Sequence, residues 1–280
     1  MMNKLPILIL SLCFSSAVYA DCNQAKSYYK QAVTSKNNKD YKQALADIDK
    51  AIELCQKYAS YYEQGRILAK LNKLDQALES FKNARNLSIS ASPREANALA
   101  RSALIYFKKG ALQKSSLFIE QAYAINKQNS SEWLLRVRKK IDLQSAQHIS
   151  SADEIQTAIS ISEKSFGVVP KLKFNSITFK FNSTELTEAG RRQVAELGKF
   201  LANQKQTVLL TGHTDKVGDS DYNMQLSLRR AQAVKQTLQK TNPQLTGHIQ
   251  TQGKGEQELR YSGDDASDHQ LNRRVDMEVL

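Results

Sequence analysis

Beyond about residue 171 the apolar positions of this chain switch between two periods. Ile177-Thr178-Phe179-Lys180-Phe181 alternates apolar and polar residues, the mark of a strand with one buried face. From Leu186 to Leu201 the spacing lengthens, and Val194, Leu197 and Leu201 fall on one side of a predicted helix. Thr207–Gly212 predicts a second strand, Tyr222–Lys240 a second helix and His248–Gln252 a third strand. In Arg273–Leu280, Val275, Met277 and Val279 alternate as in a last strand. The order β-α-β-α-β-β predicts an α+β domain over 172–280, because its parallel strand pairs need crossover helices and the result is a mixed sheet with helices on one face.

The preceding half reads as all-α and repeats itself. Small residues recur at Ala32, Gly65 and Ala103, at Ala44, Ala77 and Ser115, and at Ala51, Ala84 and Ala122, each series stepping by 33 and then 38 residues. Ile48, Phe81 and Ile119 keep the same register. Short side chains at fixed intervals let helix backbones approach closely. With Asp40-Tyr41-x-x-Ala44 and Leu74-Asp75-x-Ala77 as second-helix openings, the pattern resembles the tetratricopeptide repeat, a pair of antiparallel helices. The Pro frequent at the end of such repeats is missing. The longer second step predicts an insertion around Ser88–Glu95. After Asn129-Ser130-Ser131-Glu132, a helix over about 131–143 is expected to cap the array. The chain is thus expected to be multidomain, with a tetratricopeptide-like solenoid and its cap over 21–145. A connector over 146–171 follows. It carries a short helix opening on the capping-box pattern Ser151-Ala152-Asp153-Glu154, with Ile155, Ala158 and Ile159 as its apolar stripe.

Lys4, the apolar run Leu5–Phe14 and the small-residue site Val18-Tyr19-Ala20 predict a secretory signal peptide over 1–20, cleaved after Ala20. Roughly ten apolar residues are too few to span a bilayer. Leu12 and Asp21, rather than small residues, precede Cys13 and Cys22, which argues against a lipid anchor. Export leaves Cys22 and Cys55, a candidate disulfide if the first two helices form an antiparallel hairpin, with two free thiols as the alternative. The formal charge of +12 is uneven: residues 21–145 hold 22 Lys and Arg against 12 Asp and Glu, and residues 146–280 hold 17 against 16. The helical half therefore carries either a solvated basic face or a surface for an acidic partner, and export argues against nucleic acid. The cluster Arg136, Arg138, Lys139 and Lys140 has the same two readings.

The candidate chemistry lies where a strand ends in His213-Thr214-Asp215, turns around Gly218 and enters a helix bearing Asn223, Leu226 and Arg230. This brings a carboxylate and a guanidinium to one end of a strand–turn–helix unit, which suits a ligand with its own ammonium and carboxylate. Arg grips a carboxylate through two parallel N–H donors, a geometry Lys cannot reproduce. Arg230 shares the Leu226, Val234 and Leu238 stripe, so it is expected to face inward and to need a partner; pairing with Asp215 to hold the fold is the structural alternative. Arg273 and Arg274 alternate, so one is expected to face the site and the other to be a surface charge. His213 and Asp215 have metal-ligand spacing without a further ligand cluster, so neither a metal nor a cofactor is expected. No activated Cys and no Ser-His-Asp arrangement supports an enzyme.

Five pieces in order resemble the OmpA-like peptidoglycan-binding domain over 172–280. They are Phe179-x-Phe181-Asn182; Gly212-His213-Thr214-Asp215-x-x-Gly218; Tyr222-Asn223-x-x-Leu226-Ser227-x-x-Arg230-Ala231-x-x-Val234; Gly253-x-Gly255-Glu256; and Asn272-Arg273-Arg274-Val275. The resemblance implies non-covalent binding of peptidoglycan, chiefly the diaminopimelate of its stem peptide. Asp215 and Arg230 match the ligand-holding positions. Asn182, Asn223 and Arg273 match supporting ones, and Thr214 and Leu226 shape the pocket. Leu259 stands where the family often has Pro, which leaves the conformation of the 256–271 loop open. The implied protein is a periplasmic adaptor associated with the cell wall near the outer membrane, its repeats holding an envelope protein. A scaffold with a degenerate wall site and a peptidoglycan-acting enzyme are the alternatives.

Overall fold

The computed structural model describes residues 13–166, 171–174, 176–180, 183–204 and 206–280. The chain divides into two compact units, Met1–Ile105 with Ile125–Lys127, and Tyr106–Ala124 with Gln128–Leu280.

The first unit is helical: α1 (Cys13–Asn37), α2 (Tyr41–Leu54), α3 (Tyr58–Lys70), α4 (Leu74–Asn86) and most of α5 (Pro93–Lys108). The repeating small residues Ala32, Ala44, Ala51, Ala77, Ala84 and Ala103 are wholly buried. Gly65 shows why size matters, because a Cβ there would lie 2.7 Å from the ring of Phe81. The turns repeat as well. Lys39, Asn72 and Gly110 all have positive φ, and the residues after them, Asp40, Lys73 and Ala111, donate N–H to the carbonyls of Ser35, Leu68 and Tyr106. This is the Schellman ending that closes a helix and reverses the chain. Asp40 caps α2 by accepting from the N–H of Gln43 at 3.0 Å. Cys22 and Cys55 form a disulfide that ties α1 to the end of α2. The α4–α5 loop carries the insertion, and Pro93 begins α5, where its missing N–H costs nothing. α1 takes in the last part of the predicted signal segment; residues 1–12 lie outside the described residues.

The second unit holds α6 (Leu112–Ile125, through Ala124), α7 (Glu132–Ser145), α8 (Ala152–Phe166), β1 (Leu172–Phe174), α9 (Glu188–Leu201), β2 (Val208–Gly212), α10 (Ser220–Thr241), β3 (Ile249–Gly253), α11 (Ala266–Asn272) and β4 (Val275–Val279). The sheet order is β1-β4-β2-β3, with β2 and β3 parallel and the β1–β4 and β2–β4 pairs antiparallel. The N-cap of α7 is Ser131, two positions beyond Asn129.

One expectation changes. The first strand is Leu172–Phe174, and 177–180 is not a strand. That segment folds back locally, Lys180 N–H donating to Glu185 O at 2.8 Å and Thr187 N–H to Thr178 O at 3.0 Å, so its backbone is satisfied outside the sheet. Phe181 and Asn182 lie outside the described residues. The helix expected in the connector, α8, docks on the sheet domain. Its Ile155, Ala158 and Ile159 share a core with Leu197, Leu201, Val234, Leu238 and the inward residues of the sheet. Its start is closed by the reciprocal Ser151–Glu154 capping box and by two bonds between Gln193 and the backbone of Ser150.

Candidate functional site

The site forms where β2 ends and α10 begins, and small residues make that junction possible. A Cβ on Gly212 would lie 2.1 Å from the carbonyl oxygen of Ser227, and one on Gly253 would lie 2.5 Å from the Ser227 hydroxyl. The ends of β2 and β3 therefore touch the helix backbone directly. The chain leaves β2 through His213, Thr214 and Asp215. The Thr214 N–H is anchored on Gly255 O at 2.9 Å. Asp219 then caps α10 by accepting from Tyr222 N–H at 2.8 Å.

This geometry opens a cavity of about 710 Å³ lined by Thr214, Asp215, Asn223, Leu226, Arg230 and Arg273, together with Phe179, Tyr222, His269 and Gln270. Six of the seven ligand residues expected from the sequence thus converge; the seventh, Asn182, lies outside the described residues. Arg230 is buried on the Leu226–Val234–Leu238 stripe. Its Nε donates to Ser183 O at 3.2 Å, and its guanidinium stands 5.1 Å from the centre of the Phe179 ring. Among the described residues no carboxylate forms an ion pair with it. Burial, and then the nearby charge of Arg273, pull its pKa below the usual arginine value.

The internal partner of Asp215 is Arg273. Arg273 Nη1 donates to Asp215 Oδ2 from a half-exposed side chain, while Asp215 Oδ1 accepts from Val217 N–H at 3.2 Å. The Asp215–Arg230 fold-holding pair considered from the sequence therefore does not form. Asn223, on the cavity wall, also braces the loop, since its amide donates to Val217 O at 3.1 Å and to Glu256 Oε2 at 2.8 Å. It pins the turn after Asp215 to the Gly-x-Gly-Glu piece.

Arg274 is not the surface charge that alternation suggested. It is buried, with Nε donating to Asp276 Oδ1 at 3.1 Å. His213 Nε2 lies 3.1 Å from the other oxygen of Asp276. Burial pulls the His213 pKa below its usual value, opposed by Asp276. For Asp276 burial acts upward, but Arg274 and His213 outweigh it and hold the carboxyl well below the carboxylate range. An i, i+2 pair of opposite charges leading into the last strand was the overlooked signal for this buried pair. His269 was also missed, and no pattern pointed to it; its Nδ1 lies 3.9 Å from Asp215 Oδ2. Among the described residues no group of three His, Cys, Asp or Glu side chains is arranged to hold a metal.

Comparison with known proteins gives two kinds of match. The OmpA family matches residues 178–273, and the tetratricopeptide repeat matches 25–58 and 58–87. Outer membrane protein A of Bordetella avium is 34% identical over 136 residues, covering 47% of this chain and 69% of that protein. The peptidoglycan-associated lipoprotein of Buchnera aphidicola subsp. Baizongia pistaciae is 32% identical over 117 residues, covering 38% of this chain and 68% of that protein. A TPR repeat-containing protein of Methanocaldococcus jannaschii is 32% identical over 108 residues, covering 39% of this chain and 18% of its own length.

Proposed function

Since the chain belongs to the OmpA family, we propose that it is a periplasmic adaptor, exported by its N-terminal signal, that binds peptidoglycan through the second unit and a protein partner through the repeats. The ligand of the second unit is the diaminopimelate of the stem peptide, whose distal carbon presents an ammonium and a carboxylate together. Asp215 accepts from the ammonium and Arg230 grips the carboxylate. One observation carries the reading: Arg230 is buried at a cavity wall with no internal carboxylate to pair with among the described residues. A buried guanidinium without a countercharge is costly, and a ligand carboxylate would supply that countercharge. The protein acts by binding and carries out no reaction of its own.

On the repeats, the face shared by α3 and α5 supports an acidic client. Tyr58 and Tyr62 stack with ring centres 5.5 Å apart, Arg94 lies over Tyr58, and Arg101 donates to the Tyr62 hydroxyl at 3.1 Å. Aromatic and guanidinium groups together suit carboxylate-bearing segments, in keeping with the basic surplus of this half.

Co-sedimentation with purified sacculi tests the wall reading. Wild type is expected in the pellet. Asp215→Ala and Arg230→Ala should each weaken binding by about ten- to a hundred-fold, the loss of one charge-assisted contact of about 1.5–3 kcal/mol. Undiminished pelleting of both variants overturns the assignment. It would favour a scaffold whose wall site is degenerate, a reading to which the Arg273–Asp215 pair lends support because it already occupies one carboxylate oxygen.

A further inference from the structure

The segment that delivers Arg273 to Asp215 does not stand on the sheet alone. Three successive layers of hydrogen bonds lead from α7 to the site carboxylate. In the first, Asp142 accepts from Arg260 Nε at 2.6 Å, from Arg260 Nη2 at 2.6 Å and from the Tyr261 hydroxyl. In the second, the backbone N–H groups of Arg260 and Tyr261 both donate to Asn272 Oδ1, at 2.8 and 3.1 Å, and Asn272 Nδ2 returns a bond to Tyr261 O at 2.7 Å. In the third, Arg273, the next residue along the chain, donates to Asp215. A parallel strut joins the same helix to α11. Lys139 Nζ lies 2.8 Å from both Asp265 Oδ2 and Asp268 Oδ1, and Asp265 is the residue that caps α11. α11 in turn contributes His269 and Gln270 to the cavity wall.

We propose that Lys139 and Asp142 of α7 are positioning residues of the wall-binding site, holding the 260–273 segment so that Arg273 and the α11 face meet Asp215. The proposal rests on the wall-binding reading above and extends it: the ligand site is completed by a helix that the sequence places in the repeat array. Neither residue lines the cavity, so each acts only through the segment it holds. The charges fit this use. Hydrogen bonds to Asp265 and Asp268 raise the Lys139 pKa, so the strut stays charged well above neutral pH. The Arg260 guanidinium, although buried, is held charged by Asp142 and Glu120. Energetic coupling between separated sites is carried by hydrogen-bonded networks fixed to rigid elements, and this path is one.

The test uses the full exported chain and a soluble muropeptide carrying a diaminopimelate-containing tripeptide stem, titrated by calorimetry. Lys139→Met removes the strut at a partly exposed position and is expected to weaken binding about five-fold. Lys139→Arg is expected to restore binding. A role confined to stability would not couple to the site, so the same substitution is repeated in an Arg273→Gln background. There its effect should fall below about two-fold, because the group being positioned is gone. Should Lys139→Met lower the melting temperature, Asp265→Asn serves in its place, keeping the helix cap while dropping the charge. Binding within two-fold of wild type, or an undiminished effect in the Arg273→Gln background, overturns the inference and leaves the wall reading intact. A wild-type chain that does not bind the muropeptide overturns both.

Discussion

Two clusters in the second unit are built from the same chemistry and come to opposite ends. In one, Asp142 and Glu120 surround Arg260, while Arg138 and Lys173 close on Glu120 from other sides. Arg138 also lies 3.9 Å from the centre of the Tyr123 ring. The carboxylates take up the cations, and the side chains of Arg260 and Asp142 are almost inaccessible. Burial and the charge of Arg260 pull Lys173 down to about 8 even so, against the opposing effect of Glu120. In the other cluster, Asp215 shares Arg273 with solvent and Arg230 faces a cavity with no described carboxylate paired to it. The difference is one of closure. A network whose charges are matched internally holds structure, whereas a charge left unmatched at a cavity wall is free to hold something else.

The sharpest way to break this contrast is to take one countercharge from the closed cluster. Asp142→Ala leaves Arg260 buried with only Glu120 beside it, and losing one member of a buried pair typically costs about 3–5 kcal/mol. Urea unfolding of the second unit should therefore shift strongly, and a shift under about 1 kcal/mol would mean that the cluster is far more hydrated than its burial suggests.

Acid acts, less severely, on a third buried charged group, the His213–Asp276 pair. The folded state holds His213 neutral and Asp276 ionised, both pKa values lying below their usual ones. As pH falls below about 6.5, the unfolded chain takes up a proton at this histidine that the folded chain refuses. As pH falls below about 4, it does the same at the aspartate. Stability contributed by both groups is thus present near neutral pH and lost toward acid, by at most about 1.4 kcal/mol per pH unit for each titrating group. Melting temperatures measured from pH 7 to 5 should decline, and His213→Asn should flatten that part of the curve. An equally steep decline in the variant would place the titration elsewhere.

How much of this was legible follows from what each feature depends on. The repeat register could be read because backbone contact at Ala44 or Ala77 admits nothing larger, whatever else the helices do. The Asp215 loop and the inward stripe of α10 could be read because both are local patterns. The partner of Asp215 could not. Alternation says that only one of Arg273 and Arg274 faces the site, but the choice depends on Asn272 being held by the backbone at 260–261. Nor could the role of α7, since Asp142 and Arg260 are 118 residues apart and each alone reads as an ordinary surface charge. The segment 177–180 misled because its alternation is real, yet it meets the turn at 185–187 instead of a neighbouring strand.

The mildest test of the contrast is also the most selective. In the closed cluster an arginine is matched by carboxylates; at the cavity it is a burden on the fold. Arg230 has given up much of its water, lies near the like charge of Arg273, and receives from the described residues a carbonyl bond and a ring face but no paired carboxylate. Arg230→Met keeps most of the buried length, removes the desolvated charge and relieves the repulsion with Arg273. It is expected to leave stability unchanged or to raise it by up to about 1 kcal/mol, the usual sign when a site kept for binding is replaced by apolar packing. Binding to sacculi should fall at least ten-fold in the same protein. A Met variant that melts well below wild type would show that Arg230 belongs with Arg260 as a structural charge, and the distinction between the two clusters would collapse.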